Sequence, residues 1–327
     1  MELREESLPA VGADEVLVET ICSAISAGTE MLIYRGEFPH LHDSHDNFSS
    51  DLNYPLAYGY ACVGVVRETG EQVDRSWRDR IVFAFQPHTS HFISNPNYLL
   101  PVPNNLSHEI ACFLPNMETA VNLIQDAAPI LGERALVLGQ GVVGLLVASL
   151  LKEFPLESLV TSDCYELRRK ASLNIGLNDS FDPEFISNKN NSSIATMRQS
   201  GYSQNFDLTF ELSGSPSALN DAIAFTTFGG RIVIGSWYGE KRAEIDLGGA
   251  FHRSRIKLIS SQVSTIAPEL SGRWDKPRRF GVAWEALKRI QPQKWITHRF
   301  PIEDASKAYE LLDKNPQETI QVMVTYS

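Results

Sequence analysis

ALVLGQGVVGLLVASLL, residues 135–151, joins an apolar strand, a GxGxxG turn and an apolar helix. In this motif Gly139 permits a tight turn, Gly141 lets the backbone approach a pyrophosphate, and Gly144 lets the helix pack close to the sheet. The unpaired N–H groups and the positive dipole end of such a helix stabilise a phosphate. The alternative is a glycine-rich turn that binds no cofactor. The predicted phosphate-binding residues are Gly139, Gly141, Val142, Val143 and Gly144.

A second predicted strand, 158–162, ends at Asp163, slightly beyond the offset expected for the acid that bonds the adenosine ribose. A carboxylate there repels a 2′-phosphate, so we expect NAD(H) to be favoured. Arg168 and Arg169 leave NADP(H) possible, because an arginine can pair with a 2′-phosphate. Because they follow Asp163 by five and six residues in a predicted helix, these arginines are otherwise expected at the ribose edge or in solvent. Arg168 is a predicted cofactor-binding residue.

The composition is that of a globular protein with two domains, at 327 residues with 43% apolar and 21% charged residues. A net charge of -11 argues against a nucleic-acid partner. The longest apolar run, 142–151, is too short to cross a bilayer. The charged N-terminus lacks the apolar central segment of a signal peptide. We therefore expect no membrane insertion and a cytoplasmic location. The four scattered cysteines are predicted to be buried apolar side chains.

The chain changes character at the dinucleotide motif. Predicted strands dominate before it, and strands alternate with helices after it, which indicates a β-rich domain followed by a doubly wound parallel sheet. The polar segment 40–53 is predicted to be a surface loop rather than a metal site, and 188–193 a loop or turn. The predicted strands are 16–21, 61–68, 80–85, 206–212, 231–236, 257–260 and 321–326, and the predicted helices start near 217, 279 and 302.

The order and spacing of several segments resemble the medium-chain dehydrogenase/reductase superfamily along the whole chain. YPLAYGYACVGVV, ALVLGQGVVG, FDLTFELSGSPSAL and ITHRFPIEDASKAYELL carry the resemblance. Within the superfamily, SAISAGTE and AFHRSRIKLISSQVS look most like the bacteriochlorophyllide dehydrogenase-like group. The resemblance implies an α/β protein with a GroES-like catalytic domain (1–116 and 265–327), a Rossmann domain (117–264), a cleft between them and a homodimer.

The positions that hold catalytic zinc in many members carry other residues here. Serine and tyrosine hydroxyls do not form a zinc ligand set. The structural zinc lobe of the family, a run of four closely spaced cysteines, is also missing between residues 85 and 106. We therefore predict no metal. The corresponding positions are Ser26, Tyr60, Ala61, and Pro115 or Asn116.

Without zinc, hydrogen-bond donors or a general acid must act on the substrate oxygen. Tyr60 is the leading candidate, and its alternative is a tyrosine packed in the β core. Ser26 and Thr29 lie on the loop that carries the first ligand and a relay hydroxyl in relatives, or else they brace a turn. His88 or His91 is a candidate proton shuttle, unless structural or merely exposed.

The resemblance also implies the residues around the nicotinamide. Thr119 should touch it, while the neighbouring Glu118 is either a buried acid or an ordinary helix carboxylate. The ends of later Rossmann strands lie on the cofactor side of the sheet. These strand-end residues are Ser213, Gly214, Gly235 and Ser236.

The predicted function is hydride transfer between a nicotinamide cofactor and a carbonyl or alcohol of a bulky organic small molecule, without zinc. The first alternative is reduction of a conjugated C=C bond, as in zinc-free quinone or enoyl reductases of the superfamily. The second is a non-catalytic nucleotide-binding protein that acts as a redox sensor or structural subunit.

Overall fold

The computed structural model describes residues 1–38, 54–177, 179–183 and 206–326. The loops predicted at 40–53 and 188–193 lie outside these residues. The chain forms two compact units, Met1–Pro115 with Leu287–Ser327, and Asn116–Ala286. Residues 265–286, predicted in the first domain, group with the second unit because buried Arg279 bonds Glu118 there.

The strands and helices of the described residues are numbered in chain order. The strands are β1 (Val16–Ile25), β2 (Cys62–Thr69), β3 (Ile81–Ala84), β4 (His91–Ser94), β5 (Leu100–Pro101), β6 (Arg134–Leu138), β7 (Ser158–Ser162), β8 (Asp179–Phe181), β9 (Phe206–Glu211), β10 (Thr226–Ile234), β11 (Lys257–Ser260), β12 (Ile296–Pro301) and β13 (Gln321–Thr325). The helices are α1 (Thr29–Arg35), α2 (His108–Ala111), α3 (Leu114–Ala127), α4 (Val142–Leu151), α5 (Glu166–Asn174), α6 (Ala218–Phe225), α7 (Lys276–Ile290) and α8 (Ala305–Lys314).

The first unit is built on a mixed sheet in the order β12-β13-β1-β2-β3-β5, with β4 also paired to β1. Burial alternates along the first part of β1, and its buried residues Val16 and Val18 pack with Val66 and Val82 in one core. The final strand β13 pairs antiparallel with β1, placing Thr325 opposite Cys22. The last residues of the chain therefore lie beside its first strand. β4, β5 and β12 were not predicted as strands.

The second unit contains a parallel sheet in the order β11-β10-β9-β6-β7-β8. Strand β6 leads directly into α4 through the glycine-rich turn, as the sequence predicted. Leu136, Ile232 and Phe206 lie in a core that α6 covers with Ile223 and Phe225. A GroES-like β-rich unit and a Rossmann unit are thus both present, which confirms the predicted fold class.

Two further expectations concern membrane-spanning helices and the burial of the cysteines. In the described part of the chain, no helix is both long and apolar enough to cross a membrane. Cys22, Cys62 and Cys112 are buried as predicted. Cys164 is exposed instead, because it follows Asp163 where the chain leaves β7 and turns into α5.

Candidate functional site

The glycine-rich turn leaves one stretch of backbone open. Gly139 has a φ of +91°, and a Cβ there would lie 2.5 Å from the Leu212 carbonyl group. A Cβ on Gly144 would lie 1.9 Å from the oxygen of Gly139. A Cβ on Gly141, in contrast, would meet no described atom within 4 Å. Side chains are therefore excluded at Gly139 and Gly144 by the fold itself, whereas Gly141 has an open face.

Helix α4 begins at Val142, directly after this open glycine, which as the N-cap residue has no side chain to cap the helix. The first N–H groups of an α-helix have no partners within the helix. Together with the open Gly141 backbone, these donors, including those of Val142 and Val143, fit a pyrophosphate. The buried amide of Gln140 points its Nε2 at the carbonyl of Gly139, 2.9 Å away, and holds the turn in shape.

Asp163 is buried beside the turn. Its Oδ2 accepts a hydrogen bond from the backbone N–H of Gln140 at 2.7 Å, and its Oδ1 accepts one from the backbone N–H of Tyr165 at 2.8 Å. Arg168 lies near it, with Nη1 3.9 Å from Asp163 Oδ2 and its guanidinium over the Tyr165 ring. Arg169 pairs with Asp182 at 2.8 Å.

The predicted residues at the later strand ends meet around an unpredicted acid, Glu211. This fully buried residue accepts hydrogen bonds from the Ser213 N–H at 2.8 Å and from the Tyr238 hydroxyl at 2.5 Å. Burial, and next the Glu211 charge, raise the pKa of Tyr238 well above its usual value. The N–H of Gly214 donates to Ser236 Oγ at 2.9 Å. In the sequence, Glu211 was indistinguishable from an ordinary last residue of a strand.

Gly235 is enclosed rather than open. A Cβ there would lie 2.6 Å from the side chain of Leu212 and 2.7 Å from that of Leu123. Its N–H donates to the carbonyl of Glu211 at 3.1 Å. Gly235 therefore contributes close packing at the strand end.

Helix α3 carries the two residues that the resemblance linked to the nicotinamide. Thr119 is half-buried on this helix. Glu118 is buried, and its Oε1 accepts hydrogen bonds from Lys276 and from two nitrogens of Arg279, at 2.9 and 3.0 Å. Of the two predicted alternatives for Glu118, the structure has the buried acid.

In the first unit, the four predicted catalytic residues surround a second unpredicted acid, Glu30. Only 1% of the Glu30 side chain is exposed. Its Oε1 accepts the N–H of Ser26 at 2.8 Å, and Ser26 Oγ accepts the N–H of Thr29 at 3.3 Å. Ser26 therefore braces the start of α1, which was its alternative role. Ser26 and Glu30 are four residues apart, one more than in a capping box, so the sequence pattern did not single out Glu30.

Tyr60 lies in the loop before β2. Burial, and next the charge of Glu30, raise the pKa of its phenol well above the usual value. Hydrogen bonding to the hydroxyls of Ser26 and Thr29 acts in the opposite direction but does not outweigh these two effects. The Tyr58 ring lies edge-on to Tyr60 at 6.3 Å, and its pKa is raised by burial to about 12. At neutral pH both phenols therefore keep their protons.

His88 lies between β3 and β4 and is one-tenth exposed. Its Nε2 is 2.9 Å from Glu30 Oε2, and its Nδ1 is 2.6 Å from Ser23 Oγ. The ring packs against Gly59, where a Cβ would lie 2.8 Å from the His88 Cδ2 atom. His91, the other candidate, is exposed on β4 and contacts Ser90 Oγ at 3.2 Å. The structure thus joins His88, and not His91, to the cluster.

Two tyrosines from the end of the chain complete this cluster, and the sequence did not predict either. Tyr309 on α8 donates to Glu30 Oε2 at 2.5 Å. Tyr326, directly after β13, hydrogen-bonds Ser23 Oγ at 2.8 Å. In the sequence, Tyr309 belongs to the apolar face of an amphipathic helix and Tyr326 to a final apolar strand, so neither pattern indicated chemistry.

No family model matches the chain. L-threonine 3-dehydrogenase of Xanthomonas oryzae is 23% identical over 343 residues, covering 95% of this chain and 92% of that protein. A short chain alcohol dehydrogenase from Escherichia coli CFT073, solved with NADH, has a TM-score of 0.75 at 19% identity, and the match covers 98% of this chain and 94% of that one. A putative zinc-binding dehydrogenase from Sinorhizobium meliloti bound to NADP has a TM-score of 0.72 at 16% identity, with coverages of 98% and 95%.

The likeness to the solved structures shows that this chain has the fold of these dehydrogenases. Together with the sequence similarity to named dehydrogenases over nearly the whole chain, it supports an NAD(P)-dependent oxidoreductase. The narrower resemblance to the bacteriochlorophyllide dehydrogenase-like group stays a prediction.

Proposed function

We propose that this protein transfers a hydride between a nicotinamide cofactor and a carbonyl or alcohol carbon of a bulky organic small molecule, without catalytic zinc. The observation that carries the proposal is that burial and the charge of Glu30 raise the pKa of the Tyr60 phenol, which therefore stays protonated. The same chain has a glycine-rich turn whose backbone is open at Gly141. The cofactor, when bound, supplies or accepts the hydride at the substrate carbon.

The cofactor part of the proposal rests on the second unit. The N–H groups at the start of α4 hold the pyrophosphate, and the backbone of Gly141 allows its close approach. The Asp163 carboxylate faces the adenosine ribose and favours NAD(H), with Arg168 beside it. Thr119 on α3 and the strand-end residues Ser213 and Ser236 contact the nicotinamide portion.

The oxygen part of the proposal rests on the first unit. During reduction of a carbonyl, negative charge develops on the substrate oxygen and must be stabilised. A phenol whose pKa is raised stays protonated, so Tyr60 donates a hydrogen bond and then its proton to that oxygen. Ser26 and Thr29 hold the Tyr60 hydroxyl in place. His88 does not need to touch the substrate, since it acts on this site through Glu30.

The residues of this cluster do not form a zinc site. Zn²⁺ is bound in catalytic sites by three nitrogen, sulfur or carboxylate donors with an open position. Tyr60, Ser26 and Thr29 offer hydroxyl oxygens. Among the described residues, no three His, Cys, Asp or Glu side chains are grouped so that they could hold a metal ion. We therefore assign no step to zinc.

Reduction of a conjugated C=C bond is the second candidate function. The same protonated phenol would stabilise an enolate oxygen as well as an alkoxide, so the state of Tyr60 is compatible with both reactions. The two reactions differ in their products, an alcohol in one and a saturated ketone in the other.

Nucleotide binding and product analysis test the proposal. We expect NADH to bind by calorimetry and to be oxidised with members of a panel of bulky aldehydes, ketones and enones, with mass spectrometry identifying the reduced bond. Binding without turnover across the panel would favour the non-catalytic sensor. Failure to bind either NADH or NADPH would contradict the whole proposal. The predicted homodimer is tested separately by light scattering.

A further inference from the structure

A continuous chain of hydrogen bonds runs through the first unit from the last strand to α1. The Tyr326 hydroxyl lies 2.8 Å from Ser23 Oγ, Ser23 Oγ lies 2.6 Å from His88 Nδ1, and His88 Nε2 lies 2.9 Å from Glu30 Oε2. Ser23 is fully buried, whereas Tyr326 at the far end is partly exposed. The proposed function uses neither Ser23 nor Tyr326.

The direction of each hydrogen bond follows from what the groups can donate. The Glu30 carboxylate only accepts, so His88 Nε2 carries a hydrogen. In a neutral imidazole Nδ1 then accepts from the Ser23 hydroxyl, and Ser23 in turn accepts from Tyr326. When Nδ1 gains a proton, His88 donates to Ser23, Ser23 donates to Tyr326, and the Tyr326 hydroxyl is released to donate elsewhere. The chain therefore has two complete hydrogen-bonded states that differ by one proton.

The surroundings of His88 favour proton sharing. A carboxylate that is only 1% exposed is costly to keep charged unless a cation or several donors compensate it. Around the pair lie the phenols of Tyr58, Tyr60 and Tyr309, and each has its pKa raised by burial first and by the Glu30 charge next. Tyr326 is flanked by the thiols of Cys22, Cys62 and Cys112, and burial raises its pKa as well. Of these surrounding groups, His88 is the one whose side-chain type changes charge near neutral pH.

We propose that Glu30 and His88 share a proton that enters and leaves through Ser23 and Tyr326, and that this pair controls proton donation by Tyr60. The inference rests on the proposed function. In one inward step, the Tyr326 proton moves to Ser23 Oγ, the Ser23 proton moves to His88 Nδ1, and a hydronium ion in the solvent returns a proton to Tyr326 and becomes water. One proton passes from water to His88, and only O–H and N–H bonds change.

The consequence for Tyr60 is electrostatic. A neutral His88 leaves the negative charge of Glu30 uncompensated near the phenol, which keeps the proton on Tyr60. An imidazolium cancels that charge, and Tyr60 then becomes the stronger acid. His88, Glu30, Ser23 and Tyr326 are in this proposal positioning residues that act through Tyr60.

The shared proton is tested without any substrate by NMR titration of protein labelled at histidine Cε1, with His88 assigned among the eight histidines by His88→Gln. We expect Glu30→Gln, which removes the carboxylate that faces Nε2 across 2.9 Å, to change the His88 titration curve. If Glu30→Gln does not fold, Ser23→Ala is the second variant, and it should change the Nδ1 environment and shift the midpoint. An unchanged His88 titration in the folded variant would overturn the shared proton.

The relay is tested by buffer rescue, with two tyrosines as a matched pair. Tyr326→Phe and Tyr309→Phe each remove one phenol hydroxyl, but only Tyr326 lies on the branch through Ser23. We expect the turnover of Tyr326→Phe to fall at low buffer concentration and to recover when a small buffer such as imidazole is added, and the loss in Tyr309→Phe not to recover. Recovery of both variants, or of neither, would overturn the relay. If the wild-type protein binds neither NADH nor NADPH, the proposed function is contradicted. The NMR titration would still decide whether Glu30 and His88 share a proton.

Discussion

The Tyr309 hydroxyl donates a hydrogen bond to Oε2 of Glu30 across 2.5 Å, although the two residues lie 279 positions apart in the chain. Helices α1 and α8 are thus joined through one buried carboxylate, in the same unit in which β13 pairs with β1. Residues from both ends of the chain are therefore needed to build the cluster around Tyr60.

Gly141→Ala should weaken NADH binding by about tenfold, or ~1.4 kcal/mol, with little change in stability. The new methyl group meets no described protein atom within 4 Å but occupies the face that a pyrophosphate would approach. Calorimetry and thermal unfolding measure the two quantities. Gly144→Ala is the control, because its methyl group would overlap the oxygen of Gly139 and should lower the melting temperature instead. Equal NADH affinity in Gly141→Ala and wild type would place the pyrophosphate elsewhere.

Asp163→Asn should reduce the preference for NADH over NADPH by about tenfold. The substitution removes the negative charge that repels a 2′-phosphate, and the amide oxygen can still accept one of the two backbone N–H groups. The ratio of the two dissociation constants is the measurement. Asp182→Asn provides a comparison, since Asp182 pairs with Arg169 and not with the phosphate turn. A ratio that moves equally in both variants would mean that Asp163 has no special part in cofactor choice.

Tyr60→Phe should lower kcat/KM by a factor of about 10² to 10³ while leaving NADH affinity unchanged. It removes the proton donor but keeps the ring. Tyr58→Phe removes a hydroxyl from the neighbouring ring, 6.3 Å away, and should have a much smaller effect. Steady-state kinetics with an active substrate compares them, and similar losses in both would argue against Tyr60 as the donor.

Purified protein should contain far less than one zinc ion per chain, and chelator treatment should leave turnover unchanged. The reason is the hydroxyl-dominated donor set around Tyr60. Elemental analysis by mass spectrometry checks the content. Stoichiometric zinc that is lost together with activity would overturn the zinc-free assignment.

The Glu109–Arg299 pair should contribute stability above about pH 5 that is lost in acid. The hydrogen bond from Arg299 is the main cause that lowers the pKa of Glu109. A carboxyl group whose pKa is lower in the folded state stabilises the protein above its unfolded pKa, near 4.3, and loses this effect as the pH falls through the folded value.

Because both side chains are partly exposed, we expect Glu109→Gln to cost only about 0.5 kcal/mol at pH 7, and the difference to shrink toward zero near pH 3. Urea unfolding at both pH values measures it. Glu310→Gln, on the exposed face of α8, serves as the surface control. A difference that persists at pH 3 would indicate lost packing rather than lost charge.

Sequence patterns predicted the second unit best. A strand, turn and helix at residues 135–151 are contiguous, so local spacing was enough to place the glycines and the helix start. Short strands such as β4 and β8 were missed, because their few residues have no clear alternation. The chain returns to the first unit between residues 286 and 287. Residues before this point group with the second unit because Arg279 of α7 binds Glu118 of α3, a contact between segments that are distant in sequence and that local patterns do not predict.

By itself, the sequence determined the glycine-rich turn between β6 and α4 and the presence of a β-rich part followed by a parallel sheet. Both depend on neighbouring residues and on the period of apolar side chains. Only the tertiary structure decided that Glu30, and not one of the predicted candidates, lies at the centre of the first unit's cluster. Ser26 is a local partner, four residues before Glu30, but His88 and Tyr309 come from distant segments, and their hydrogen bonds to Glu30 form only when the first unit folds. A buried acid that collects such partners has no signature in the order of the residues.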